Sequence, residues 1–160
     1  MIRYIDQLKK EDLRGKKVLL RVDFNIPIQK LNLSSDGISQ SQTRIADDFK
    51  VKAHRETIDY LLRNGAKVLL ISHFAALATF LPVVEEIGEI LGQTISLVPH
   101  AEMLSIDNLF RASPIFLLDN IRQDQREEKN DEGLALSLSK GFVFYINDAF
   151  SVSHRDHALI

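Results

Sequence analysis

Four apolar segments of the chain each end in polar side chains that could bind a charged ligand. Asp23 and Asn25 follow the first segment, which runs from Lys17 to Val22. The polar residues that follow the other three segments are Ser72 and His73; Asp119, Asn120 and Arg122; and Asn147 and Asp148. Arginine offers a planar fork of donors that suits phosphate oxygens, and it keeps its charge at any working pH.

The apolar segments are predicted to be strands. They are continuous aliphatic runs without polar alternation, a pattern typical of strands buried on both faces. The predicted strands begin at Lys17, Ala66, Thr94, Pro114 and Gly141. Helical spacing occurs between strands, from Asp47 to Arg63, from Pro82 to Leu91 and from Asn130 to Lys140. This order predicts an α/β fold: a doubly wound parallel sheet with helices on both faces, in a Rossmann-like three-layer α/β/α arrangement.

Two segments have neither pattern. Residues Gln29 to Gln42 are rich in Ser, Asn, Gln and Gly without periodicity, and we interpret them as a long loop. Residues Ala101 to Ala112 are ambiguous and are predicted to form a helical turn and a loop.

A parallel sheet brings the carboxyl ends of its strands to one edge, where the ligands of such sheets bind. The potential cations expected there are His73, Arg122, His154, Arg155 and His157. They make this edge more basic than the formal net charge of -2 implies. The residues alone therefore favour a site for a small anion.

Other charged residues are more simply explained as structural. Arg21 lies inside the first apolar segment, where an unpaired charge is costly to bury, so we predict that it pairs with acidic groups near the edge. Asp23 is the first candidate partner. His54 and His100 are interpreted as structural or surface residues, and the segment 127–129 (Glu-Glu-Lys) as a solvated turn.

Length and composition bound the class of protein. The 160 residues suffice for one domain, residues 1–160, and are too few for two ordinary ones. The net charge gives no reason to expect nucleic-acid binding, and the absence of cysteine excludes disulfides, thiolate zinc sites and a cysteine nucleophile. The sequence has no signal-peptide core and no apolar run of membrane-spanning length. A cytoplasmic protein with no nucleic-acid or membrane partner is expected.

Three partial motifs carry little weight. The triplet 154–156 (His-Arg-Asp) matches the start of a protein-kinase catalytic loop, but the asparagine that should follow is missing. The seven glycines form neither a GxGxxG nor a Walker phosphate loop. His154 and His157 with His73 and Asp148 could be metal ligands, but an HxxH pair alone is a weak signal. We expect no metal site.

Five segments resemble, in order, the N-terminal domain of the phosphoglycerate kinase family: LLRVDFNIP, TIDYLL, NGAKVLLISH, LLDNIR and NDAF followed by SHRDH. The resemblance extends from Gly15 to His157. It implies a domain that binds 3-phosphoglycerate and a second domain of similar size that binds MgATP or MgADP. Closure of the hinge would transfer a phosphoryl group between 1,3-bisphosphoglycerate and ADP, or between ATP and 3-phosphoglycerate, in glycolysis.

The resemblance also implies roles for single residues. The implied substrate-binding residues are Asp23, Asn25, His73, Arg122, Arg155 and His157. Asp23 and Asn25 match the residues that hold the substrate's hydroxyl and carboxylate region. His73 matches the histidine of a Ser-His-Leu-Gly-Arg-Pro block. Arg122 and Arg155 match arginines that grip the substrate phosphate, and His157 matches a histidine that supports them.

The sequence also departs from the family pattern. Lys50 stands where an arginine stabilises the transferring phosphoryl group, so the charge is kept but the two-pronged geometry is lost. Ala76 replaces the arginine of the Ser-His-Leu-Gly-Arg-Pro block, Ile26 is bulkier than usual, and Gln123 replaces a phenylalanine. The segment from Lys30 to Thr43 is longer than in the family.

The sequence contains no nucleotide domain before it ends at Ile160. We therefore expect this chain to bind no cofactor by itself, to act as a monomer and to be inactive alone, because phosphoryl transfer depends on positioning a bound donor. A C-terminal nucleotide-binding domain carrying MgATP or MgADP is the expected partner. The alternative is a divergent, non-catalytic anion-binding or regulatory domain whose substrate site has eroded.

Overall fold

The chain contains seven strands in the part that the structure describes. This structure is a computed structural model, and it describes residues 4–35, 38–100, 106–129 and 131–149. The strands are β1 (Lys17–Arg21), β2 (Ile28–Ser35), β3 (Ile38–Ile45), β4 (Lys67–Ile71), β5 (Ser96–Val98), β6 (Ile115–Leu118) and β7 (Phe144–Asn147). Five of them form a sheet in the order β5-β6-β4-β1-β7, and every pairing in it is parallel.

Helices cover both faces of this sheet. They are α1 (Lys10–Leu13), α2 (Phe49–Ala53), α3 (Arg55–Arg63), α4 (Val84–Leu91), α5 (Ile106–Ala112) and α6 (Glu132–Ser139). Successive side chains of a strand point to opposite faces. Accordingly, Leu20 of β1 packs in one apolar cluster with residues of α3 and α4, while Leu19 packs in a second cluster with residues of α5 and α6. The predicted three-layer α/β/α fold is confirmed.

Residues Gln29 to Gln42 do not form a loop, so that interpretation was wrong. Strands β2 and β3 pair as an antiparallel hairpin, in a register that places Ile28 opposite Ile45 and Ser35 opposite Ile38. The two residues between the strands read Asp-Gly, a pair typical of tight hairpin connections. The polar composition of the strands hides this signal, because neither face has the apolar alternation by which a strand is recognised.

The helix expected from Asp47 to Arg63 is interrupted. Helix α2 ends at Ala53 and α3 begins at Arg55, with His54 between them. The His54 N–H donates to the carbonyl of Val51 three residues earlier, at 3.2 Å, so the chain tightens locally into a 3₁₀-type turn. The predicted helix thus consists of two shorter ones. None of the helices in the described residues is long and apolar enough to cross a membrane.

Asp119, at the end of β6, fixes the loop that follows β4. Its carboxylate accepts hydrogen bonds from the Thr79 hydroxyl at 2.8 Å and from the Phe80 N–H at 2.9 Å. The Asn120 N–H at 2.8 Å and the Gln123 amide at 3.0 Å complete its donors. Burial opposes ionisation of Asp119, but these donors favour the carboxylate and together hold its pKa below the ordinary value.

This depressed pKa gives a prediction about acid stability. The contribution of Asp119 is present above the unfolded-state pKa of about 3.9 and is lost as pH falls through the lower folded-state pKa. Asp119→Asn should reduce the free energy of unfolding at pH 7 by about 1–2 kcal/mol, a value that allows for the partial exposure of the carboxylate.

Urea unfolding at several pH values tests this expectation. The stability difference between Asp119→Asn and the unaltered chain should shrink as the pH is lowered from about 6 to 3. Glu56→Gln, on the exposed face of α3, is the matched control and should behave as the unaltered chain does. A difference that stays constant over this range would contradict the role given to the ionised Asp119.

Candidate functional site

The end of β1 presents a compact polar cluster. The Lys50 ammonium lies 3.0 Å from the Asp23 carboxylate and 3.1 Å from the carbonyl oxygen of Asn25. The Asn25 N–H donates to the other oxygen of Asp23 at 3.1 Å, which turns the chain sharply after the strand. The structure therefore brings together Asp23, Asn25 and Lys50, three of the residues proposed from sequence.

The main chain of this cluster is anchored to neighbouring elements. The Asp23 N–H donates to Nε2 of His54, and the Phe24 N–H donates to the hydroxyl of Ser72, each at 2.9 Å. The side-chain oxygen of Asn25 accepts from the Ala75 N–H at 3.0 Å. These bonds join the ends of β1 and β4 and link both to the start of α3.

His73 and Asn120 occupy the next strand ends of the sheet. His73 is buried directly after β4, so it forms part of the base of the edge. The Asn120 side chain accepts from the Phe74 N–H at 3.0 Å and donates to the Phe74 carbonyl at 2.8 Å, which joins the ends of β4 and β6. Ala76 lies exposed on the loop that follows, where it offers a methyl group and no charge.

Arg122 lies on a 3₁₀ turn, Ile121–Gln123, just after β6. Its N–H donates to the Asn120 side chain at 3.1 Å, which caps the turn. The guanidinium group is 28% exposed and faces two carboxylates: Nε lies 3.4 Å from Glu127, and Nη1 bonds to Glu128. An anion that binds Arg122 must therefore compete with the partly exposed Glu128.

Arg21 pairs with Glu127 rather than with Asp23. Nη2 of Arg21 lies 3.4 Å from Oε1 of Glu127, and the two side chains are 1% and 0% exposed. The expected pairing of Arg21 with an acidic group near the edge is confirmed, but Asp23 has Lys50 as its partner. The interpretation of residues 127–129 as a solvated turn was wrong for Glu127, because that carboxylate is needed to balance buried guanidinium charge.

Arg21 also connects the two halves of the site. Burial lowers the pKa of its guanidinium, while the Glu127 charge opposes that shift. The same guanidinium interacts electrostatically with Tyr145, Arg122 and Asp23. Burial raises the pKa of the Tyr145 hydroxyl to about 12, so this neighbour stays neutral and adds no charge at physiological pH.

Sequence reasoning missed the roles of two residues, His54 and Glu127. His54 bonds to Asp23 and, through Nδ1, to the carboxylate of Asp148 at 2.8 Å. Its place on the apolar face of a helix was the available signal. Arg155 and His157, with His154, lie outside the described residues. Among the residues that the structure describes, no group of three or more His, Asp or Glu side chains is placed to hold a metal ion.

Comparison with known proteins identifies the family. The family model for phosphoglycerate kinase matches residues 8–160. The chain belongs to the phosphoglycerate kinase family. The phosphoglycerate kinase of Prochlorococcus marinus (strain MIT 9515) is 37% identical over 164 residues, and that of Geobacter metallireducens is 34% identical over 169 residues. The alignments cover 96% and 99% of this chain but only 38% and 39% of those relatives.

Solved phosphoglycerate kinases share the fold. The structure of phosphoglycerate kinase from Pyrococcus horikoshii OT3 superposes with a TM-score of 0.71 at 28% identity, and it covers 94% of this chain and 38% of that one. The enzyme from Coxiella burnetii superposes with a TM-score of 0.70 at 20% identity, over 96% of this chain and 37% of that one. The chain thus spans well under half the length of these phosphoglycerate kinases.

The buried Arg21–Glu127 pair supports a prediction about stability. In the described residues, Nε and Nη1 of Arg21 have no hydrogen-bond partner, so Glu127 carries most of the compensation for this charge. Glu127→Gln leaves the buried guanidinium without a counter-charge and should lower the free energy of unfolding by about 3 kcal/mol. Urea unfolding followed by circular dichroism measures the loss.

Arg63→Gln is the matched control for this measurement. Arg63 is 79% exposed and pairs with Asp59 one helical turn away, at 3.2 Å. Removing such a surface pair should cost no more than about 0.5 kcal/mol. Equal losses in Glu127→Gln and Arg63→Gln would show that the buried pair contributes no more than a surface one.

Proposed function

We propose that this chain is the substrate-binding domain of a phosphoglycerate kinase. It binds 3-phosphoglycerate or 1,3-bisphosphoglycerate at the carboxyl edge of the parallel sheet, the region formed by the residues that follow β1, β4, β6 and β7. The observation that carries the proposal is the Asp23–Asn25–Lys50 cluster at the end of β1 in a member of this family. In α/β sheets ligands bind at this edge.

The residues of the cluster suit the two ends of such a ligand. The carboxylate of Asp23 can accept a hydrogen bond from the substrate hydroxyl, while Asn25 can donate to its carboxylate region. Arg122 is placed on a capped turn and offers its guanidinium to phosphate oxygens. Arg155 and His157 complete this basic patch in the proposal, as the match to the family motif implies.

Lys50 provides positive charge near the substrate carboxylate, the group that receives or releases the phosphoryl group. Its ammonium already balances Asp23, so binding of a more highly charged ligand would draw it away from that carboxylate. A lysine stabilises developing charge as a point cation and lacks the planar two-pronged contact of arginine. We therefore expect slower phosphoryl transfer than an arginine would support.

A second domain completes the enzyme in this proposal. It would carry MgATP or MgADP, because these residues form no nucleotide-binding loop. Leu136 of α6 and the adjoining residues Val143 and Tyr145 near β7 are exposed, as expected where another part of a protein packs. The isolated chain should show no phosphoryl transfer, since this reaction depends on positioning both substrates. A cytoplasmic location and a monomeric state stay predictions.

A non-catalytic anion-binding or regulatory domain is the second candidate. Ala76 offers no charge where the family has arginine, and the guanidinium of Arg122 is held by Glu127 and Glu128. A hydrogen bond to a charged group contributes about 1.5–3 kcal/mol, so the missing arginine alone could weaken substrate binding about tenfold to a hundredfold. Such a site would keep the fold and lose the catalytic function.

Titration with 3-phosphoglycerate tests the proposed binding. Amide resonances of Asp23, His73 and Arg122 should shift on addition of the ligand up to about millimolar concentration, an affinity worth about 4 kcal/mol. Glycerol at the same concentrations is the uncharged control and should leave them in place. Silence at all three amides would exclude this chain as the substrate-binding domain.

Restoring the two arginines discriminates between the candidates. In a full-length protein that includes the second domain, Lys50→Arg with Ala76→Arg should raise kcat/KM on the order of tenfold or more, because both changes add bidentate contacts. Steady-state assay of ATP-dependent phosphorylation measures the effect. If the full-length protein without these changes is already as fast as the variant, the eroded-site candidate fails.

A further inference from the structure

His54 bridges two strand ends of the sheet without being exposed to solvent. It lies at the break between α2 and α3 and is 5% exposed. Its ring accepts from the Asp23 N–H at 2.9 Å through Nε2 and contacts the Asp148 carboxylate at 2.8 Å through Nδ1. The ring of Phe24 packs edge-on against it, with the centroids 5.8 Å apart. One side chain thus joins the ends of β1 and β7.

The partners of the ring determine its proton. A main-chain N–H can only donate, so Nε2 must present its lone pair to Asp23. A carboxylate can only accept, so Nδ1 must carry the hydrogen that is directed at Asp148. The observed bonds therefore require the neutral ring with its proton on Nδ1. Neither the charged ring nor the other tautomer can make both bonds.

This bridge acts on the proposed substrate site through the main chain of Asp23. The Asp23 carboxylate holds both the Lys50 ammonium and the Asn25 N–H, so the position of its main chain sets the position of the cluster. With the Phe24 N–H bound to Ser72, the His54 contact is one of two that fix the chain as it leaves β1.

We propose that His54 is a positioning residue for the substrate site: as a neutral ring with its proton on Nδ1, it fixes the Asp23 main chain against Asp148 and so orients Asp23, Asn25 and Lys50 for an anionic ligand. The inference rests on the proposed function of this site. His54 touches neither substrate nor reacting atoms, and it acts by holding the main chain that carries the binding groups.

The charged surroundings of the ring define how it should respond to acid. In the described residues, the charged groups at the strand ends and helix next to it are Asp148 beyond β7, Asp23 beyond β1 and Lys50 on α2. A second proton would occupy Nε2 and remove the acceptor of the Asp23 N–H, although Asp148 would still be paired. Ligand binding should therefore weaken as the ring becomes protonated.

The test compares 3-phosphoglycerate affinity of the 160-residue chain with that of three variants, by calorimetry. His54→Ala removes both bonds and should raise the Kd about tenfold, the factor that corresponds to one hydrogen bond. His54→Gln offers an acceptor and a donor but cannot be protonated, so it should restore most of the affinity. Tyr60→Phe is the structural control: its hydroxyl donates to the Leu8 carbonyl at 2.6 Å, at the opposite edge of the sheet.

Lowering the pH from about 8 to 5.5, the range over which histidine gains its proton, separates positioning from simple stability. The unaltered chain should lose more affinity over this range than His54→Gln, while both share the titration of the ligand. Tyr60→Phe should lose thermal stability but follow the unaltered chain in affinity. If His54→Ala fails to fold, the comparison of His54→Gln with the unaltered chain decides.

Two results would overturn the inference in distinguishable ways. If the unaltered chain binds 3-phosphoglycerate and His54→Ala binds it equally well, His54 has no positioning role and the proposed function stands. Where His54→Ala cannot be measured, identical pH profiles for His54→Gln and the unaltered chain lead to the same conclusion. If the unaltered chain does not bind the ligand at all, the proposed function fails, and the role of His54 fails with it.

Discussion

A main-chain N–H that leaves a parallel sheet loses its ladder partner and must find another acceptor. In this protein side chains from neighbouring elements supply those acceptors at the carboxyl edge. His54 serves Asp23 and Ser72 serves Phe24, while Asn120 serves Phe74. The same bonds that satisfy the main chain also fix the direction in which each segment leaves the sheet. The polar cluster at the edge is therefore a direct result of how the strands end.

Buried charge is the second determinant of this region. Arg21 extends from a central strand into the layer between the sheet and α6, and Glu127 reaches it from the turn after β6. Glu127 faces Arg122 as well, so a single buried carboxylate stabilises a structural guanidinium and orients one that is partly exposed. The arrangement makes the position of Arg122 depend on the core and not only on its own turn.

The sheet could be predicted from sequence because its strands are buried on both faces, so that Val18 to Leu20 and Val68 to Ile71 are apolar without interruption. The hairpin was missed because its strands are polar, and their Asp-Gly connection was the remaining signal. Glu127 resembled a solvated residue because its partner, Arg21, lies 106 positions away in the chain. The break at His54 likewise depends on contacts with distant strand ends, which no local pattern encodes.

The pairing of β1 with both β4 and β7 has a consequence for how the protein is made. Val18 pairs with Val68 and also with Phe144, so the central strand waits for the last strand of the sheet before it is fully enclosed. Contacts between such distant residues slow folding, because loop-closure entropy is lost before the contacts form. During synthesis, the early strands and helices can assemble on the ribosome while the anion-binding edge stays incomplete. Ligand could then assist only the final step of folding.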